Sequence, residues 1–283
     1  MAELEKIVAL VDGSVYSESV CDHAAWVAEK IGGHVVVAHV IGRREAKADL
    51  SGNIGLGARS KLMEELSALD EERAKLNHKR GRAILEDAEA RIAEKGVSVS
   101  TVLRQGDLVQ ELGKLAEDAE LVIVGKRGEA ADFATMHLGS NLERVVRSCT
   151  KPILVTSRAY QPIEDFLIAF DGGKSSLRAV DHVARAKLFK GLEAKVVTAG
   201  TDTAEVRQKL DGAAAMLKGA GLTVTTEIAE GQAENAIADR IGDGAADMLV
   251  MGAYGHSRIR SLIIGSTTTQ MIRSCQVPLL LFR

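Results

Sequence analysis

Gly252-Ala253-Tyr254-Gly255, followed after nine residues by Gly265-Ser266-Thr267, lies between the apolar run 248–251 and a segment of helical character that ends near Cys275. Glycines that allow tight turning, set between a strand and a helix start, are how α/β proteins aim backbone N–H groups at a phosphate. Ser266 and Thr267 add hydroxyl donors at the helix end that attracts an anion. A turn followed by a capped helix accounts for the same residues one at a time.

A second kind of residue follows other apolar runs. Asp12-Gly13-Ser14 comes after 7–11, and Asp171-Gly172-Gly173-Lys174-Ser175 after 166–170. A carboxylate there can accept hydrogen bonds from ribose hydroxyls, and glycine lets backbone approach a ligand. The same Asp and Ser are also favoured N-caps. His23 and His182, beside Asp22 and Asp181, invite an acid–base reading, yet neighbouring positions of a helix point in different directions. A partly exposed packing or capping role is expected of both. No Ser–His–Asp, metal-ligand or paired-carboxylate constellation can be assembled in these loops, so no catalytic residue is assigned.

The elements that must position these loops occur twice. The run 7–13, Ile-Val-Ala-Leu-Val-Asp-Gly, recurs at 166–172 as Phe-Leu-Ile-Ala-Phe-Asp-Gly, an offset of 159 that also carries Asp22-His23 onto Asp181-His182. Gly125-Lys126-Arg127-Gly128 matches Gly252-Ala253-Tyr254-Gly255, and Cys149 with Pro152 matches Cys275 with Pro278, at an offset of 126 or 127. The first copy is therefore about 32 residues longer, with the excess between Gly42 and about Arg80. Two domains are expected: 1–158 with an insertion at about 42–80, and 163–283, which carries the more regular glycine motif. Each copy alternates strand-like runs (7–11, 34–40, 97–103, 121–124 and 153–156; 166–170, 195–199, 223–228, 248–251 and 277–282) with helical segments. That pattern predicts two tandem doubly wound α/β domains, each a five-stranded parallel sheet with helices on both faces, Rossmann-like. The fifth strands would each present an unpaired edge, a liability relieved by pairing them across the copies.

The insertion opens with Ser51-Gly52-Asn53-Ile54-Gly55-Leu56-Gly57 and continues as a charged amphipathic segment from about Lys61 to Lys95. Its glycines follow no strand directly, so they fail the context of a dinucleotide fingerprint. The charged segment reads as a solvated helix face.

With 46% hydrophobic residues and only three prolines in 283, the chain can bury two cores and is expected to be globular. A net charge of −3 with both signs interspersed gives no electrostatic case for nucleic acid or an anionic membrane. No run approaches a membrane span, the acidic start is unlike a signal peptide, and a cytoplasmic location is expected. Three cysteines without a CxxC pair suggest neither a disulfide framework nor zinc.

The spacing Gly-x2-Gly-x9-Gly-Ser at Gly252, Gly255, Gly265 and Ser266, with the opening Val11-Asp12-Gly13-Ser14 and the five-strand pattern, resembles the universal stress protein family, taken twice along nearly the whole chain. In family members that bind ATP, the first-strand Asp contacts ribose, the end of strand two borders adenine, and the Gly-Ser loop holds phosphates. The resemblance therefore implies an ATP site from Asp171, Gly172, Ala199, Gly252, Gly255, Gly265, Ser266 and Thr267. It implies a second from Asp12, Val40, Gly125, Gly128, Gly139 and Ser140. Copy one departs from the pattern with ten residues between Gly128 and Gly139 and with Asn141 after Ser140, while Lys126 and Arg127 could still attract phosphate. Mg2+ is the natural companion of ATP phosphates, with no protein ligand assignable. The implied protein is an ATP-binding stress-response regulator, its two copies packed as an intramolecular pseudo-dimer, with homodimerisation as in many family members.

Two enzyme readings compete at 171–176. A P-loop needs Gly five positions before Gly173, where Ile168 stands. The loop also resembles the Ser-Gly-Gly-x-Asp-Ser loop of adenylating ATP pyrophosphatases, with two of six positions different. A slow ATP-hydrolysing or adenylating enzyme is thus the alternative, and a scaffold with empty pockets or another small ligand the third reading.

Overall fold

Ile7, Val8 and Ala9 are fully buried at successive positions, which a strand satisfies only when both of its faces are covered. The computed structural model describes residues 4–42, 56–127, 140–244, 246–253 and 266–283, with backbone alone for 56–62 and 140. In chain order its first half comprises β1 (Lys6–Leu10), α1 (Ser17–Ile31), β2 (His34–Gly42), α2 (Leu56–Ala93), β3 (Val99–Gly106), α3 (Leu108–Ala116), β4 (Ala119–Gly125), α4 (Ser140–Ser148) and β5 (Ile153–Thr156). The second half repeats the order: β6 (Asp165–Ala169), α5 (Lys174–Arg185), β7 (Glu193–Ala199), α6 (Ala204–Gly219), β8 (Thr223–Ala229), α7 (Ala233–Gly242), β9 (Leu249–Gly252), α8 (Ser266–Ser274) and β10 (Leu279–Phe282).

Local chemistry sets several element ends. Asp107 caps α3 by accepting from the N–H groups of Val109 and Gln110, and Thr203 caps α6 through the N–H of Val206. α1 stops at Gly32, whose left-handed backbone (φ 72°) turns its N–H onto the carbonyl of Ala28.

The five strands of each half are parallel, ordered 3-2-1-4-5 and 8-7-6-9-10, so each half reverses strand order at its centre. The two do not remain separate sheets. β5 and β10 pair antiparallel, with Leu279 opposite Val155, Leu280 opposite Leu154 and Leu281 opposite Ile153, giving one ten-stranded sheet. The edges anticipated for the fifth strands are consumed by each other, as the aggregation argument required. All four residues of each joining strand are buried.

Side-chain alternation sorts the helices onto two faces. One core holds Ile7 and Ala9 with residues of α1, α2, α5 and α6; the other holds Val8 with residues of α3, α4, α7 and α8. Both cores run unbroken from one half into the other. Most of the difference in length between the copies lies in α2, which spans 38 residues where α6 spans 16.

Candidate functional site

Ligands of open α/β sheets sit beyond the carboxyl ends of the strands where strand order reverses, here beside β1 and β4 and, in the second half, beside β6 and β9. The predicted loops flank these two points. Asp12 and Gly13 follow β1 and Gly125 ends β4, while Asp171 and Gly172 follow β6 and Gly252 ends β9. Val40 and Ala199 lie near the carboxyl ends of the adjoining strands β2 and β7, both half-buried. Gly128, Gly139, Gly255 and Gly265 lie outside the described residues. Ser140 and Ser266 are the first residues of α4 and α8, with Thr267 following.

Both carboxylates are engaged by their own loops. Asp171 Oδ1 accepts from the Gly173 N–H (2.8 Å) and the Ser176 hydroxyl (2.6 Å); Asp12 Oδ1 accepts from the Ser14 N–H (3.0 Å) and lies 3.5 Å from the Ser17 hydroxyl. Each is an Asx turn in the loop leading to the next helix, while the N-cap positions, Tyr16 and Gly173, make no side-chain cap bond, so neither Asp is the N-cap that the bare sequence offered as the alternative to a ribose contact. The glycine after each Asp is left-handed (φ 77° at Gly13, 70° at Gly172), a conformation that disfavours any side chain.

Gly125 and Gly252 are needed for packing. A Cβ on Gly252 would fall 2.5 Å from Ser175 Cβ and 3.0 Å from backbone of Ser175 and Ser176, and one on Gly125 would fall 2.8 Å from Tyr16 Cβ. Each glycine lets the start of α5 or α1 press against the strand end, so that the Asp loop and the glycine loop are held together. Ser14 adds a long contact (3.5 Å) to the Arg127 carbonyl.

Several participants lie too far apart in sequence to be anticipated. In the first half α2 leans on the Asp12 loop: a Cβ on Gly13 would meet Ile84 Cδ1 at 2.8 Å, with Arg80 Nη2 at 3.9 Å. In the second half α6 presents Lys209 to Gly172, its Cδ 3.1 Å from the same point, and Lys209 Nζ pairs with Glu205 at 2.6 Å. The copies therefore wall the same loop with different chemistry, apolar plus Arg in one and an ion pair in the other. At the start of α8 the Thr267 hydroxyl donates to Glu234 Oε1 (2.7 Å), a bond that holds the Glu234 carboxyl below its usual range. Thr268 donates toward the carbonyls of Gly252 and Ala253 (3.3 Å each), tying α8 to the end of β9.

Lys126 differs from the expectation of a phosphate contact. Its Nζ donates to the Cys275 carbonyl at 2.7 Å, across the join between halves, and burial lowers its pKa. The His–Asp neighbours diverge as helix geometry requires. Asp22 takes two bonds from Arg91 (3.1 and 2.8 Å) and an ion pair with Lys95 (3.0 Å), clamping α2 to α1. His23 is fully buried, against the expected partial exposure, edge-on to Tyr160 with ring centroids 5.0 Å apart. Its Nδ1–H donates to the Ser19 carbonyl (2.7 Å), and burial pushes its pKa down to about 4. His182 is half-buried and packs on Phe282. A cleft of about 620 Å3 opens elsewhere, between α2 and β3, and none of the predicted site residues lines it. No cluster of metal-ligating side chains occurs among the described residues, and no described helix is long and apolar enough to cross a membrane.

The chain matches the model of the universal stress protein family over residues 3–157 and 192–283. It is 39% identical over 287 aligned positions to the universal stress protein Slr1230 of Synechocystis, covering 99% of this chain and 100% of the relative. The Bacillus subtilis universal stress protein YxiE is 30% identical over 152 positions, 53% of this chain and 97% of that protein. The crystal structure of a universal stress protein from Archaeoglobus fulgidus superposes with a TM-score of 0.74 at 21% identity, covering 98% of each chain, a likeness of fold.

Proposed function

The chain belongs to the universal stress protein family, and from that premise we propose that it is a tandem member binding adenine nucleotide at the paired strand-end loops and acting as a stress-response regulator. The observation that carries the reading is the recurrence of one constellation at both strand-order reversals: an Asp-Gly turn held against a strand-ending glycine by a closely packed helix start. Two domains, 1–158 with the insertion at about 42–80 and 163–283, form an internal pseudo-dimer with one site each.

Asp12 and Asp171 would meet the ribose, Val40 and Ala199 the base. The loops containing Gly125, Gly128, Gly139 and Ser140, and Gly252, Gly255, Gly265, Ser266 and Thr267, would meet the phosphates, joined by the N-terminal N–H groups of α4 and α8. The donor set fits an anion, with one opposing element: the Glu234 carboxylate already takes the Thr267 hydroxyl. Mg2+ would enter with the nucleotide. The bound nucleotide has no base or nucleophile assigned to it, which favours a binding module over the slow ATPase or adenylating enzyme.

Denaturing the purified protein and chromatographing the supernatant tests the proposal. Released adenine nucleotide, or heat on titration with ATP, is expected; absence of both would overturn it and leave the scaffold reading. Accumulation of ADP at a rate abolished by a loop substitution would move the assignment to the enzyme. Because Asp171 holds its own loop through the Gly173 N–H and the Ser176 hydroxyl, Asp171→Asn, which keeps an acceptor, isolates binding better than Asp171→Ala. Gly255→Val tests the phosphate loop.

A further inference from the structure

From 63 to 80 every side chain of α2 is exposed except that of Leu66, which is half-buried. At about 1.5 Å per residue this is an arm of roughly 27 Å standing off the body. Its root is fixed. At Gly81 the helix presses so closely on the sheet that a Cβ would fall 2.8 Å from Leu103 Cδ1 and 3.1 Å from the His39 ring; Leu85, Ala88 and Ile92 then enter the core. The arm itself is exposed, whereas helices in proteins draw most of their stability from packing an amphipathic face.

Its sequence is written for a partner of a particular kind. Leu69 and Leu76, seven residues apart, are 60% and 58% exposed, and with Leu66 they line one stripe of the helix. Charges along the arm fall into two blocks of five. Glu64, Glu65, Asp70, Glu71 and Glu72 carry no intervening cation, and Arg73, Lys75, Lys79, Arg80 and Arg82 no intervening carboxylate. Within the helix Glu71 and Lys75 lie 2.8 Å apart, both exposed, an ion pair worth little. Two identical arms side by side in the same direction would set like block on like. Turned antiparallel, each acidic block meets the other's basic block, the self-complementarity that a two-fold axis demands.

We propose that the α2 arm docks a second copy of this chain, as an antiparallel two-helix pair related by a two-fold axis. Seating Leu69 of each arm against Leu76 of the other sets Asp70 opposite Lys75 and Glu72 opposite Arg73, and brings Glu65 of each beside Lys79 of the other. The join is separate from the β5–β10 pairing, which is internal to one chain.

Sedimentation velocity of the full chain over a concentration series tests this. A reversible dimer is expected for the natural sequence. Leu69→Lys with Leu76→Lys should abolish it while thermal unfolding of the dilute protein stays unchanged, since both side chains are exposed on the arm. Glu65→Lys and Lys79→Glu, each alone, should weaken the dimer at least about tenfold, because each sets like charges together. The double variant should recover most of the lost affinity. A monomer at every concentration, a dimer indifferent to the leucine pair, or a double variant no better than the single ones would overturn the proposal.

Discussion

In the proposed nucleotide site, the residue set most directly against a phosphate is Glu234, in the first turn of α7. Glu234 sits with its carboxylate on the Thr267 hydroxyl, at the helix end expected to face phosphate. Glu234→Gln removes a like charge while keeping an acceptor, and should tighten ATP binding about fivefold, roughly 1 kcal/mol, at low salt. Isothermal titration reads it; unchanged or weaker affinity would place the phosphates elsewhere. His23 gives a pH signature. Its folded pKa of about 4 lies below the ordinary imidazole value of 6.5, so between those values the unfolded chain holds a proton that the folded chain refuses. Stability is therefore full above about pH 6.5 and falls as pH drops toward 4, by up to about 3 kcal/mol. Denaturant midpoints measured from pH 7 to 4 should show this slope, and His23→Leu should flatten it. Of these residues the sequence supplied identities without partners. Asp12 and Asp171 are visible as loop carboxylates, but only the fold closes each into an Asx turn on its own loop; Glu234 and Thr267, 33 residues apart, carry no signal of meeting.

At the scale of elements, the close approach of helix starts to strand ends is the tightest constraint. Gly252→Ala would force the backbone of α5 away from β9, costing about 1–3 kcal/mol as overpacking does. Gly125→Ala should cost less, because the obstacle is the Tyr16 Cβ and not backbone. Chemical denaturation of both variants checks the order. Strands were legible from apolar runs because a strand covered on both faces leaves an unbroken signature: 7–11, 121–124 and 153–156 fall within one or two residues of β1, β4 and β5. Strand starts at 97, 248 and 277 were placed one or two residues early, since an apolar residue that flanks a strand, such as Val277, reads like one inside it. The charged stretch 61–95 was legible as a helix face, while its departure from the body at Gly81 was not. That depends on how near Leu103 and His39 come, a tertiary fact.

For the whole molecule, both core layers and the sheet pass from one half to the other, and Lys126 bonds across the join. Calorimetry should accordingly show one cooperative transition, with the calorimetric and van't Hoff enthalpies agreeing to within about a tenth. Two resolved transitions would mean that β5 and β10 join without coupling. The internal repeat made the tandem architecture readable, because the copies corroborate one another where a single motif would be ambiguous. How the copies join was foreseen only as the relief of two strand edges.

That join has a genetic consequence. Where two identical polypeptides associate, every mutation is made twice and every site changes in step. Here the partners share one reading frame, so each locus is free to drift alone: Ile84 stands over one loop and Lys209 over the other, and a helix of 38 residues in one copy has a counterpart of 16 in the other. Covalent union releases this protein from symmetry, and inheritance can tune its two strand-end loops independently.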